Sequence, residues 1–133
     1  MELRLIVLFV ALFATIECVS RRAIENKVSK TIRQHKVMLF SKTYCPYSRR
    51  LKEMLSKYQI DDMKILELDL QREEYRSVIQ DYLKTLSGRR TVPQLFINGI
   101  FVGGSDDTRE MDRKGQFKKI LIDAGVLLDE RKR

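Results

Sequence analysis

The chain has 133 residues, 44% hydrophobic and 33% charged, with a formal net charge of +8. That size and balance describe one ordered domain with a single core, and the absence of repeats and of Ser- or Gln-rich tracts excludes solenoid and disordered architectures. The positive charge favours anionic partners, but acids and bases interleave in QREEYRSVIQDYLK and DDTREMDRKGQFKK without a basic stripe carrying aromatics, which argues against nucleic acid.

The first twenty residues differ from the rest. MELR carries one arginine, and Leu5 to Ile16 form an uncharged, mostly apolar run that ends at Glu17. The run suits a secretory signal and falls short of the roughly 20 residues needed to cross a bilayer core. Small residues at Cys18 and Ser20 place cleavage after Ser20, leaving residues 21–133 as the domain; the alternative is an uncleaved signal anchor. Either fate directs the domain to the secretory pathway, to the lumen of the endoplasmic reticulum or Golgi or out of the cell, and a membrane is a partner only for the anchor. Cys18 then belongs to the targeting segment, and the domain keeps Cys45 as its one thiol.

Periodicity supplies the remaining elements. AIENKVSKTIRQH sets Ile24, Val28, Thr31 and Ile32 on one helical face, with Ser20 as its cap. Val37 to Phe40 form a short apolar run typical of a buried strand. Leu51, Met54, Leu55 and Tyr58 predict a second helix, and KILELDL a second strand with Ile65, Leu66, Leu68 and Leu70 as its apolar content. Tyr75, Val78, Ile79, Tyr82, Leu83 and Leu86 predict a third helix closed by Gly88. QLFI and IFVGG around Asn98-Gly99 read as a hairpin. A last helix starts near Asp106 and buries Phe117, Ile120, Leu121 and Ala124, weakened in its middle by Gly115. This order predicts an α/β fold with a mixed four-stranded sheet and helices on both faces.

Cys45 falls where a central strand gives way to a helix. A cysteine at the first helical turn has backbone N–H groups and the positive dipole end to stabilise its thiolate, and Pro46 fits the first helical position. Lys42, Arg49 and Arg50 add positive potential. From this segment alone, a reactive thiol and a buried structural cysteine are about equally supported.

KTYCPYS, RRTVPQLFING and GGSDD stand in the order and at the separations seen in glutaredoxins, and the resemblance covers Ile24 to Leu128. It implies a thioredoxin-like fold with a glutathione groove. By this resemblance Cys45 is the nucleophile, Tyr47 lines the groove beside the sulfur, and Lys42 faces the glycyl carboxylate of glutathione. Thr91, Val92 and Pro93 are similar to the family's cis-proline turn, which pairs with the cysteinyl part. Gly104, Ser105, Asp106 and Asp107 resemble the loop holding the γ-glutamyl end, with Gly103 and Gly104 permitting close approach and either aspartate also suited to capping a helix. Arg89 stands where many relatives have glutamine and strengthens the positive charge at the glycyl end.

Ser48 departs from the two-cysteine pattern, because a hydroxyl cannot perform thiol–disulfide exchange. The resemblance therefore implies a monothiol route with glutathione as cosubstrate, acting on glutathionylated proteins or small disulfides, in a monomer with no residue assigned to a metal. Two alternatives remain open. One is a glutathione-ligated iron–sulfur cluster in a dimer, disfavoured by Pro46; the other is a non-catalytic thioredoxin-fold adaptor. His35, the single histidine, is read as a surface residue.

Overall fold

A computed structural model describes residues 2–128. Five α-helices and four strands follow in the order α1 (Glu2–Gln34), β1 (Val37–Ser41), α2 (Pro46–Leu55), β2 (Met63–Glu67), α3 (Glu73–Ser87), β3 (Gln94–Ile97), β4 (Ile100–Gly103), α4 (Ser105–Arg113) and α5 (Gln116–Asp123). They form one mixed sheet of order β2-β1-β3-β4. β1 pairs parallel with β2, from Val37 opposite Met63 to Ser41 opposite Glu67, and antiparallel with β3, Phe40 opposite Gln94 and Val37 opposite Ile97.

β1 is buried at all five residues, as its unbroken apolar run requires of a strand covered on both faces. On one face Ile24, Val28 and Ile32 of α1 and Ile79 and Leu83 of α3 pack on Met38, Phe40 and Phe96. On the other, Leu51, Met54 and Leu55 of α2 and Phe117 and Leu121 of α5 pack on Val37, Leu39, Leu95 and Ile97. The ring of Phe40 meets that of Phe96 edge-on, with centroids 5.7 Å apart. The predicted hairpin is present: Asn98 and Gly99 turn between β3 and β4 with φ of 48° and 79°.

Five expectations are corrected. Ser20 does not cap a helix, because α1 runs without interruption from Glu2 to Gln34. Thr31 is only half-buried and its hydroxyl donates to the Lys27 carbonyl at 2.9 Å, a local bond a threonine forms readily when its helix face is partly open. β2 ends at Glu67, and Leu68–Leu70 form a 3₁₀ turn that buries Leu68 but leaves Leu70 72% exposed. The C-terminal helix begins at Ser105, and Gly115, at φ 74°, splits it into α4 and α5 so that α5 can turn Phe117 and Leu121 onto the sheet. Tyr75 and Leu86, at the edges of the α3 stripe, are exposed.

Phe117 is fully buried and meets Tyr58 edge-on with centroids 5.6 Å apart. Replacing it with alanine is expected to lower unfolding free energy by about 3–5 kcal/mol, read from the denaturant midpoint at unchanged slope. A midpoint equal to that of the parent protein would remove α5 from the core.

Candidate active site

Cys45 occupies the N-cap of α2 with extended backbone (φ −77°, ψ 120°), and Pro46 is the first helical residue. The Cys45 carbonyl accepts the first helical bond from Arg49 N–H at 3.1 Å, while Cys45 N–H donates to the Lys42 carbonyl at 3.1 Å. The sulfur is therefore carried by a rigid strand-to-helix corner. Two bonds pin the preceding loop: Thr43 N–H donates to Asp69 Oδ1 at 2.9 Å, and the Thr43 hydroxyl donates to Asp69 Oδ2. Those contacts hold the Asp69 carboxyl below the usual carboxylate range.

Burial pushes the Cys45 thiol up, but the combined opposing contributions are larger and its pKa falls below the ordinary thiol range. They come from hydrogen bonds of the Ser48 N–H and hydroxyl and the Tyr47 N–H, followed by the charge of Lys42. Ser48 is fully buried, and its hydroxyl oxygen also accepts Lys42 N–H at 3.4 Å. It therefore supports the loop as well as the anion. The charge of Arg50 is turned onto the Tyr47 ring, with its guanidinium carbon 5.5 Å from the centroid.

Beside the sulfur lies a groove of about 220 Å³ lined by Tyr47, Arg89, Thr91, Val92, Pro93, Gly104, Ser105, Asp106 and Asp107. The Val92–Pro93 bond is cis, and the Val92 carbonyl lies 4.0 Å from Cys45 Sγ. Gln94, almost wholly buried, holds this loop by donating to the Arg89 carbonyl at 2.6 Å and the Thr91 carbonyl at 2.9 Å. A Cβ at Gly104 would stand 3.3 Å from the Pro93 carbonyl oxygen, so the two groove loops reach this separation because residue 104 has no side chain. Ser105 is buried and its hydroxyl has no protein partner among the described residues.

Nine of the expected residues thus share one groove beside Cys45. Lys42 does not line it and acts on the sulfur by charge. Gly103 is also off the wall; its φ of 156° brings the chain against Asp107, whose Cβ would lie 2.7 Å from a Cβ at 103. Asp107 accepts Gly104 N–H at 3.1 Å and pairs with Arg89 Nη1 at 2.9 Å, which together hold its carboxyl below the usual range. Arg89 and Asp107, expected at opposite ends of the ligand, therefore meet each other. Asp106 is exposed and forms no ion pair among the described residues. Asp69 and Gln94 were not identified as site residues from sequence, because each acts on a loop across the fold. A larger cleft of about 690 Å³ between α2 and α4 shares Asp106, but its lining of alternating arginines and acids is solvated surface away from the sulfur. His35 lies apart from this site, its Nδ1 2.7 Å from Asp62 Oδ1 in the connection entering β1.

Residues 37–102 match the family model for glutaredoxin. An uncharacterized monothiol glutaredoxin of Caenorhabditis elegans is 50% identical over 108 residues, covering 81% of this chain and 73% of that protein. The chain belongs to the glutaredoxin family. Glutaredoxin-C4 of Arabidopsis thaliana is 42% identical over 124 residues, covering 90% of this chain and 89% of that one. A buckwheat glutaredoxin solved in complex with glutathione superposes with a TM-score of 0.72 at 30% identity, over 80% of this chain and 94% of that one. The glutaredoxin fold, with its mixed four-stranded sheet, is the one expected from the sequence, and the family supports a glutathione-dependent thiol oxidoreductase in general terms.

A thiol whose pKa is depressed by folding favours the folded state above the unfolded thiol's pKa, and that contribution disappears as pH falls through the folded value. Alkylation of Cys45 by iodoacetamide should show a midpoint below that of a free thiol, and Ser48→Ala should move it upward by removing one donor. A midpoint at or above the free-thiol value in the parent protein would show that this corner does not stabilise the anion.

Proposed function

We propose that the protein reduces and forms glutathione mixed disulfides through Cys45 alone. The observation carrying this reading is the thiol of Cys45, its pKa held below the ordinary thiol range, at the mouth of a groove whose size and polarity suit a tripeptide, with a serine in place of a resolving cysteine. Cys45 thiolate attacks the glutathionyl sulfur of a mixed disulfide. The old S–S bond breaks, its electron pair leaves on the partner's sulfur, which takes a proton from solvent, and Cys45 becomes joined to glutathione. The thiolate of a second glutathione attacks that glutathionyl sulfur, releasing glutathione disulfide and restoring Cys45. The net exchange consumes one glutathione thiol, which enters the new glutathione disulfide as the partner's sulfur is reduced to a thiol, and Ser48 takes no part in it.

The groove provides complementary charge at the two ends of the tripeptide. Asp106 offers an exposed carboxylate to the γ-glutamyl amine, and Arg89 with Lys42 supplies positive potential for the glycyl carboxylate. Binding a carboxylate at Arg89 competes with its 2.9 Å pairing to Asp107. The backbone beside cis-Pro93 borders the cysteinyl part. Direction follows the surroundings. Glutaredoxin potentials near −200 to −230 mV and an endoplasmic reticulum poise near −180 to −210 mV differ by roughly 30 mV, about 1.4 kcal/mol, so one site serves both removal and installation of glutathione. The N-terminal segment supports placing the protein in the secretory pathway.

Cys45→Ser is expected to abolish glutathione-coupled reduction of a small glutathione mixed disulfide, while the parent protein barely reduces an internal protein disulfide; equal activity on both substrates would refute the one-thiol route. Asp106→Asn and Lys42→Ala should each raise KM for glutathione several-fold with kcat less affected. An unchanged KM would remove the substituted residue from the binding site.

A further inference from the structure

Helix α1 joins the apolar segment to the domain without a linker, and its direction determines which end of the domain faces that segment. The uncharged run that looked short in sequence is extended by the helix: Leu3, Leu5, Phe9, Phe13 and Val19 are all exposed on it. An 18-residue window has mean hydropathy 2.2 with none of it buried. At about 1.5 Å per residue these 18 residues rise roughly 27 Å, close to the approximately 30 Å hydrocarbon thickness of a bilayer, with Arg4 and Glu17 near the ends. One turn beyond this segment, Ile24 is already packed in the core.

The end at which α1 enters the domain is the end that carries the thiol. Only His35 and Lys36 separate α1 from β1, so the chain reverses and β1 runs back along Ile32, Val28 and Ile24. The five residues of β1 climb about 17 Å, and α1 from Gln34 back to Ile24 covers about 15 Å. A chain of ion pairs gives the same result independently: Arg21 binds Asp81 at 2.9 Å, and Asp81 binds Arg90 at 2.9 Å. Arg90 adjoins the turn whose Val92 carbonyl lies 4.0 Å from Cys45 Sγ. Around this end Arg22, Arg49 and Arg89 are exposed, and Tyr44 and Tyr47 are 66% and 51% exposed. Tyrosine with arginine is the pairing that suits the headgroup layer, and Tyr44 lines no part of the groove.

We propose that α1 is retained as a membrane anchor and holds the Cys45 end of the domain against the lipid headgroups. The bilayer is the partner of this rim, and the substrates are glutathione mixed disulfides on cysteines close to the membrane surface. The substrate part rests on the glutaredoxin activity proposed above; the orientation does not. Large soluble glutathionylated proteins are excluded by the bilayer, whereas free glutathione diffuses in along the rim.

The chain contains no tryptophan, so a single introduced one reports its own surroundings. Full-length Tyr44→Trp and Ile100→Trp proteins are reconstituted into phosphatidylcholine vesicles, with and without phosphatidylserine, in which part of the lipid carries brominated acyl chains. Ile100 is 71% exposed on β4, next to the hairpin turn at the opposite end of the sheet. Quenching is expected for Tyr44→Trp and not for Ile100→Trp. It should be lost when a Gly/Ser linker of about ten residues, spanning roughly 17 Å, is inserted between Ser20 and Arg21. Failure of the full chain to stay with the vesicles, or equal quenching at both positions, would overturn the orientation. In vesicles the linker should raise turnover on a glutathionylated soluble protein several-fold and leave turnover on a small glutathione mixed disulfide unchanged, the latter also showing that the linker variant is folded. Equal turnover on the large substrate with and without the linker would overturn the substrate assignment. Absent turnover in detergent with the quenching pattern intact would sink the enzyme reading and leave the orientation standing.

Discussion

The site depends on the corner where β1 ends and α2 begins. β1 is buried along its whole length, so its end has a fixed place, and Cys45 caps the following helix from there. The N–H groups of Tyr47 and Ser48 belong to the first turn of α2 and have no carbonyl to bond within their own helix. They bond the sulfur instead. Burial alone would keep the thiol protonated; the helix start, the Ser48 hydroxyl and the Lys42 charge together reverse that sign. The backbone that carries these groups is held in place. Lys42 is tied to Cys45 and Ser48 through its backbone, and Thr43 to Asp69 across the sheet end.

The opposite wall is built by the same means, a polar side chain holding a loop. Gln94 stands at the start of β3, paired with Phe40, and its buried amide donates to two carbonyls of the Arg89–Thr91 segment. Leaving its NH2 group unpaired would cost roughly 1–3 kcal/mol, so its position and the shape of the loop are set together. Arg89 is brought over the Phe101 ring, 5.9 Å from its centroid, and reaches Asp107. An exposed ion pair of this kind is worth only about 0–1 kcal/mol, little enough for a ligand carboxylate to compete with it.

Much of this was legible in the sequence because two kinds of signal are local. The apolar periods identified every strand and most helix faces, and the three motifs located nearly the whole groove. Failures came where the deciding contact is remote or where a local rule allows two outcomes. KILELDL reads as a continuous strand, yet Asp69 bends it into a 3₁₀ turn to meet Thr43 from another segment. Gly115 signalled weakness in a helix, but only packing of Phe117 on the sheet decides between a weak helix and two short ones. Ser20 suits a cap when its neighbours are read as a signal, while the helix on both sides of it is continuous. Asp69 and Gln94 carry no motif of their own, since an aspartate after a strand and a glutamine after a proline are common, and their work appears only when the partner loops are in place.

Ser48 brings the chemistry and the groove into one argument. Buried beneath Cys45, it can stabilise a thiolate but cannot attack a disulfide, so in the proposed mechanism the glutathionylated enzyme has no internal escape. Every turnover must pass through a second glutathione whose thiolate reaches Cys45-bound sulfur from outside. The Lys42 charge then acts twice, first in lowering the Cys45 pKa and then, together with the arginines of the rim, in drawing in an anionic tripeptide. A resolving cysteine in place of Ser48 would lighten that second demand. Without one, in that proposed mechanism both half-reactions draw on the charge around the mouth of the groove, which gives a physical reason for a rim so rich in arginine around a groove that needs few of them for binding.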